Sequence, residues 1–245
     1  MHVMMIVLCC CSTVTDASEK SRDWYARGVA HVRQKKHKEA IAAFTKCLEL
    51  DPKFADAYDH RGSEYFIIGE VKKSAADFDR YVKLEPQQFP RHWKRGITLY
   101  YVNRFADGAK QFNAYEQIST TDVENGVWHF LCNARLMGVK KARKIMLKIG
   151  RDGRIPMMKV YELYKGIAKP SDVLKRVADA KLKGARQTHA LFYAHLYLGL
   201  YYEAVEKDKK KALSHLNQAT DKYRIGHYMW DVARVHRDIL RKKTR

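Results

Sequence analysis

A period of about 34 residues constrains the fold of this chain more than any other feature. An arginine-glycine pair recurs at this spacing as Arg27-Gly28, Arg61-Gly62 and Arg95-Gly96. The same period relates three phenylalanines, which stand sixteen residues after the glycines: Phe44, Phe78 and Phe112. Apolar residues around both positions follow helical spacing. A period of this length is typical of stacked helical hairpins, each of which buries its apolar face against its neighbours.

The residue types at these positions fit closely packed helix pairs. Glycine on the first helix lets the second helix approach, and phenylalanine fills the space between them. Pro52 and Pro86, again one period apart, end the second helix. The pattern resembles the tetratricopeptide repeat (TPR), which implies an all-α solenoid that binds other proteins.

The pattern divides the chain into segments. Three repeats occupy residues 21–122, an irregular helical segment follows over 123–190, and a fourth TPR-like repeat with a capping helix occupies 191–245. We find no strand pattern of any length. The sequence therefore predicts an all-α TPR solenoid with an irregular helical middle and a C-terminal capping helix.

The N-terminal segment is typical of an export signal. An apolar stretch ends in Cys9-Cys10-Cys11, and Leu8 stands three places before Cys11, as lipoprotein signals require. We predict a lipoprotein signal over residues 1–17, shortened at its start, with lipid attached to Cys11. The alternative is the apolar N-terminus of a cytoplasmic protein.

The layout as a whole resembles the NlpI group of bacterial lipoproteins. The local likeness is best over residues 95–101, 160–166 and 197–202. The resemblance implies an adaptor without enzymatic activity that is anchored in the cell envelope and faces the periplasm. It also implies a periplasmic protease or peptidoglycan hydrolases as partners, and it allows a homodimer.

The sequence carries no motif for catalysis. It contains no nucleophile elbow, phosphate-binding glycine loop, Cys-x-x-Cys or His-Glu-x-x-His. The eleven histidines are scattered at spacings that do not place two imidazoles on one helical face. We therefore predict no enzymatic activity, no cofactor and no metal site.

First helices line the concave groove of a TPR solenoid, so the repeat phase predicts which residues contact a peptide or a partner helix. The predicted groove is formed by Arg22, Tyr25, Val29, Arg33, Asp56, Asp59, Ser63, Phe66, Trp93, Ile97, Tyr100 and Tyr101. The alternative is that the aromatic members pack against neighbouring helices of the same solenoid.

The charge of +20 is unevenly distributed. Residues 1–122 carry 19 basic and 16 acidic side chains, whereas residues 135–186 hold 16 basic and four acidic ones. We predict a basic patch, formed by Lys140, Lys141, Arg143, Lys144 and Lys148. Such a surface attracts polyanions, whether nucleic acid, anionic membranes or acidic proteins; the alternative is a solvated helix face without a partner. The alternative function is therefore a cytoplasmic TPR protein that binds RNA or another polyanion through its basic C-terminal half.

Overall fold

The structure, a computed structural model, describes the backbone of residues 11–242 and the side chains of residues 18–242. This part of the chain contains thirteen α-helices and no β-strand, so the predicted all-α fold class is confirmed. The chain forms two compact units, of which the first ends at Pro86 and the second begins at Gln87.

Unit one contains two helical hairpins. Their helices are α1 (Cys11–Arg33), α2 (His37–Leu50), α3 (Ala55–Ile67) and α4 (Val71–Leu84). Phe44 is fully buried at the centre of the first hairpin, beside Ala40 and Cys47. Ala57 at the start of α3 joins the same cluster, so the second hairpin continues the core of the first.

Unit two contains the remaining nine α-helices of the described chain, to which a 3-10 helix (Pro86–Arg91) leads. They are α5 (Trp93–Tyr101), α6 (Phe105–Tyr115), α7 (Val123–Met137), α8 (Val139–Lys144), α9 (Met157–Lys165), α10 (Pro170–Asp179), α11 (Gly184–Tyr201), α12 (Lys209–Asn217) and α13 (Tyr228–Lys242). π-helical turns extend α11 and α12, at Tyr202–Glu206 and Gln218–Lys222. Residues 125–133 of α7 are all buried, because α5, α6, α8 and α9 pack around this helix.

Each repeat brings its glycine against the aromatic ring predicted to face it. A Cβ atom added to Gly28 would lie 2.4 Å from a ring carbon of Phe44. The same construction gives 2.9 Å from Gly62 to Phe78 and 2.6 Å from Gly96 to Phe112. In the late repeat, Gly199 stands in the same relation to Leu216, at 2.8 Å. Any larger residue at these glycines would push the two helices apart.

In two of the three hairpins, the arginine before the glycine bonds to the residue before the facing phenylalanine. Arg61 donates to both carboxylate oxygens of Asp77, at 2.8 Å each. Arg95 donates from Nη1 to Oε1 of Gln111, at 2.9 Å. Arg27 faces an alanine in that place, and its guanidinium instead stacks on Trp24, 4.7 Å from the ring centre. The arginine-glycine pair is therefore a packing motif of the hairpin.

The turn inside each of the three hairpins repeats as well. Lys35, Gly69 and Asn103 have positive φ values of 57°, 84° and 62°. The next residue in each case donates its backbone N–H to the carbonyl five residues earlier, at 3.0, 2.8 and 2.9 Å. This bond satisfies one of the carbonyls that a helix leaves open at its C-terminus. The turn thus accommodates a lysine and an asparagine at a left-handed backbone position that glycine adopts at the lowest conformational cost.

Residues 139–149 form a short helix followed by irregular backbone. Ala142 and Met146 are buried, whereas α8 ends at Lys144 and Ile145 is 48% exposed. Tertiary hydrogen bonds hold the following segment outside a helix. Gly150 N donates to Thr120 O at 2.8 Å, and the Tyr161 hydroxyl donates to Leu147 O at 3.0 Å.

None of the helices within residues 11–242 has the length and hydropathy needed to cross a membrane. The predicted segment boundaries at 21–122, 123–190 and 191–245 stay predictions. The predicted signal segment, residues 1–17, lies largely outside the described residues, and the side chain of Cys11 lies outside them entirely.

Candidate functional site

Unit two contains a cavity of about 200 Å³ that we call the aromatic pocket. Residues of α5, α6, α7, α11 and α13 surround it, together with Asp122, Arg154 and His227 from the connecting segments. Its lining residues are Trp93, Ile97, Phe112, Tyr115, Asp122, Glu124, Asn125, Trp128, Arg154, Tyr193, His227 and Met229. Five of the twelve are Trp, Tyr or Phe, and three are charged: Asp122, Glu124 and Arg154.

Arg154 organises the charged side of the aromatic pocket. It donates from Nη1 to Glu124 at 2.6 Å, and from Nη2 to Asp122 and Asp152 at 2.8 and 2.6 Å. Its Nε donates to the second oxygen of Asp152 at 3.0 Å. One guanidinium thus binds three carboxylates, and all three of its nitrogens donate to them.

The same carboxylates fix the start of α7. Asp122 is the N-cap of this helix and accepts from Glu124 N at 3.0 Å. Asp152 accepts from Val123 N at 3.2 Å. These bonds satisfy backbone donors that the first turn of a helix leaves open. The segment around Arg154 therefore sets the position of the helix that carries the pocket wall.

Two buried polar atoms in the wall have no hydrogen-bond partner among the residues that the structure describes. Trp128 is 1% exposed and its indole Nε1 is unpartnered. Asn125 is 4% exposed; its Nδ2 donates to Phe112 O at 3.0 Å, but its Oδ1 has no partner. Buried polar groups are nearly always paired, and leaving one unpaired costs about 1–3 kcal/mol. A donor and an acceptor, three residues apart on α7, are thus available to a bound group.

Burial and neighbouring charges shift the pKa values of the titratable groups around the cavity. Burial raises the pKa of Glu124, and the charge of Arg154 opposes this rise. Burial also raises the pKa of Asp152, but the hydrogen bonds from Arg154 outweigh burial and hold that pKa below its ordinary value. The pKa of Tyr115 is raised by burial and by the charge of Asp122. Desolvation lowers the pKa of His227, which therefore adds no positive charge at neutral pH.

The structure places the predicted groove residues of repeat one in two environments. Arg22 and Arg33 are exposed. Tyr25 packs inside its own unit, with its ring centre 4.8 Å from that of Phe54, and Val29 packs on the core around Phe44. Tyr25 therefore follows the alternative stated above, in which an aromatic side chain packs within the solenoid.

The predicted groove residues of repeat two also lie in different environments. Asp56 is exposed and Asp59 half-buried, and the charges of both raise the pKa of Tyr81, for which burial is the largest cause. Ser63 is half-buried and donates to Asp59 O at 2.9 Å. The prediction that Phe66 lines the groove is wrong, because its ring is fully buried in the core.

Repeat three supplies the predicted residues that do reach a cavity. Trp93 and Ile97 line the aromatic pocket. Tyr100 and Tyr101 line a smaller cavity of about 40 Å³ with Arg135 and His236. Tyr101 is hydrogen-bonded to His236 at 3.2 Å, so this pair belongs to the packing against α13.

The basic patch is exposed at four of its five positions. Lys140, Lys141, Lys144 and Lys148 are exposed, and no carboxylate of the described chain forms an ion pair with any of them. Arg143 differs, because it donates to Tyr164 O at 3.2 Å and is half-buried. What this surface binds stays a prediction. Among the described residues, no three His, Cys, Asp or Glu side chains are grouped to hold a metal ion.

Sequence reasoning missed most of the aromatic pocket. Its charged members come from residues 122–124 and 152–154, which carry no helical period. One signal was present: Asp152 is one of only four acids in the basic stretch 135–186, and it stands two residues from Arg154. The pair His195 and His215, whose Nδ1 atoms lie 2.9 Å apart, was also missed.

Comparison with known proteins agrees with the repeat pattern. A family model, that of the tetratricopeptide repeat, matches residues 21–54. A curated relative, the cell division cycle protein 27 homolog of Caenorhabditis elegans, is 32% identical over 90 residues. That match covers 37% of this chain and 11% of the relative, so the chain spans a small part of that protein.

A solved structure supports the fold of the chain as a whole. The TPR protein from Parabacteroides merdae superimposes with a TM-score of 0.54 at 13% sequence identity. The superposition covers 94% of this chain and 90% of that one. The helical repeat fold thus extends well beyond the single repeat that the family model matches.

We expect Arg154→Met to lower the free energy of unfolding by about 2 kcal/mol at pH 7, because two buried carboxylates lose their partner. Asp152 has a depressed pKa in the folded state. Its pairing with Arg154 therefore stabilises the fold above about pH 4 and is lost as the pH falls through the folded-state pKa. Urea unfolding at pH 7 and at about pH 3 should show the full deficit at pH 7 and a smaller one at the lower pH, because the loss begins only below about pH 4.

Lys175→Met is the matched control, because Lys175 forms an exposed ion pair with Asp179 on α10. This change should alter stability by less than about 0.5 kcal/mol. An equal deficit for Arg154→Met at both pH values would show that the side chain acts through packing rather than through its charge.

Proposed function

We propose that this chain is a non-enzymatic adaptor that binds other proteins, and that the aromatic pocket receives an anchoring side chain of a partner peptide. The observation that carries the proposal is the pair of buried, unpartnered atoms in the pocket wall, Trp128 Nε1 and Asn125 Oδ1. A peptide group that pairs with both would remove a cost that the unbound protein bears.

The composition of the wall supports a peptide as ligand. Trp and Tyr rings present large apolar areas and are enriched where one protein anchors another. Trp93 is half-buried at the pocket, next to exposed His227, so its indole is within reach of a partner. TPR arrays are protein-binding scaffolds, which accords with the repeat over residues 21–54.

The size of the cavity supports an anchor rather than a whole small molecule. Pockets that enclose a drug-sized ligand measure about 300–1,000 Å³. A cavity of about 200 Å³ is below that range and suits one side chain of a peptide that otherwise lies on the surface.

Selection of random peptides displayed on phage tests this proposal. We expect the protein to enrich related sequences, and Trp93→Ala to weaken their binding about tenfold or more, because truncating an aromatic anchor commonly costs over about 1 kcal/mol. Trp24→Ala is the control: it removes a half-buried indole of unit one that is not among the lining residues of the aromatic pocket. Equal loss in both variants, or no enrichment by the wild type, would contradict the proposal.

The finer proposal concerns where the adaptor works. The resemblance to the NlpI group and the Leu8-to-Cys11 spacing support a lipoprotein of the cell envelope that brings a periplasmic protease or cell-wall hydrolases together. A positive surface adds to the membrane affinity that one acyl chain provides, and the exposed lysines of the basic patch suit this role.

Growth of expressing bacteria with an alkyne fatty acid checks this finer proposal. A chain extended upstream by the codons that precede Met1 should take up the label and fractionate with membranes. Cys11→Ser should abolish both, whereas Cys47→Ser, at a buried thiol, should leave labelling unchanged. An unlabelled, soluble wild type would favour the alternative, a cytoplasmic protein that binds RNA or another polyanion, for which tight and salt-sensitive RNA binding is expected.

A further inference from the structure

The charge of the aromatic pocket is opposite to that of the protein. Its charged lining residues are Asp122, Glu124 and Arg154, which give a formal charge of −1 when all are ionised, and Asp152 adds a further carboxylate beside Arg154. The chain as a whole carries +20. A negative site on a strongly basic protein favours a cationic group over an anionic one.

The hydrogen-bonding groups that remain available are mostly acceptors. Asp122 uses Oδ1 for both Arg154 and Glu124 N, whereas its Oδ2 makes no hydrogen bond within the described chain. Asn125 Oδ1 is also unpartnered and buried. An ammonium or guanidinium group supplies the N–H donors that two such oxygens require.

Arg154 does not offer a site for an anion. Its Nε, Nη1 and Nη2 atoms all donate to carboxylates, at 2.6–3.0 Å. Four of its five N–H groups are thus given to carboxylates, and an incoming carboxylate or phosphate would meet three negative groups beside the one that remains. A negatively charged ligand is therefore disfavoured.

The aromatic wall suits a cation as well. The guanidinium of Arg154 already lies 5.7 Å from the ring centre of Tyr193, which shows a cation–aromatic contact inside the pocket. Trp93 adds an indole, the aromatic group that attracts cations most strongly. The one unpartnered donor, Trp128 Nε1, suits a carbonyl oxygen of the peptide that carries the cation.

We propose that the aromatic pocket selects a lysine or arginine side chain of the partner peptide. This selectivity rests on the proposed function, because it specifies which anchor the pocket receives. The apolar stem of the side chain would lie along the Trp93 and Met229 side, and its charged end would meet Asp122 and Asn125.

Calorimetric titration with four blocked tripeptides tests the selectivity. Their central residues are lysine, arginine, norleucine and glutamate, so norleucine matches the lysine stem without its charge. We expect the lysine and arginine peptides to bind the wild type about tenfold or more tightly than the norleucine peptide, with the glutamate peptide weakest. The preference should weaken as salt is raised, because the pocket opens to solvent.

Asp122→Asn supplies the variant test. Asparagine caps a helix as well as aspartate does, so α7 keeps its start while the pocket loses one negative charge. The lysine-to-norleucine preference should fall severalfold in this variant. Asp107→Asn, which removes an exposed carboxylate paired with Arg104 on α6, should leave the preference unchanged.

The outcomes separate this inference from the proposed function. Equal affinity of the wild type for lysine and norleucine peptides would overturn the selectivity and leave a peptide-binding pocket. Tightest binding of the glutamate peptide would also overturn it. Failure of all four peptides to bind, together with failure of the phage selection, would overturn both proposals.

Discussion

Close contact between a glycine and an aromatic ring is the constraint on which the repeats depend. In three successive hairpins the second helix lies so near the first that a single added carbon atom would fall within 2.9 Å of a phenylalanine ring. The preceding arginine bonds across the same interface in two of these hairpins. The close packing at the glycine and the hydrogen bonds of the neighbouring arginine both hold the two helices of a hairpin together. This explains why arginine and glycine recur as a pair.

Unit two keeps this constraint at Gly96, replaces the ring by Leu216 at Gly199, and departs from the pattern between the two glycines. Residues 146–156 follow no helical pattern, and they bring Arg154 to the start of α7. The four-group cluster that results positions the helix whose Asn125 and Trp128 leave polar atoms unpaired. Natural structures retain such unpaired groups where a ligand, a water molecule or a strained site accounts for them. The irregular part of the fold is therefore the part that builds the candidate site.

The sequence predicted the features that periodicity can reveal. Gly28 and Phe44 are visible as a pair because the same relation returns one period later, and so the hairpins, their contact points and the all-α class follow from the sequence. The left-handed turns at Lys35 and Asn103 do not follow, because neither residue type signals that conformation by itself. Only their alignment with Gly69 in the repeat reveals the shared turn.

The candidate site was predictable only in part. Trp93 and Ile97, from the predicted groove, line the aromatic pocket, whereas Phe66 is fully buried, because the repeat phase does not tell which side of a first helix the next hairpin covers. Asp122 and Arg154 are 32 residues apart in a stretch without a period, so no local pattern connects them. The basic composition of that stretch also concealed a negative pocket, since net charge averages over groups that the fold separates.

The NMR signal of the Trp128 indole N–H tests most directly whether the aromatic pocket binds a peptide. In a spectrum of the protein labelled with ¹⁵N-tryptophan, Trp128→Phe assigns the Nε1–H signal among the four tryptophans. We expect saturating lysine tripeptide to move this signal downfield, because the unpartnered N–H gains an acceptor. The signal of Trp24 should stay in place. A Trp128 signal that is unchanged when the peptide binds would contradict binding in the aromatic pocket.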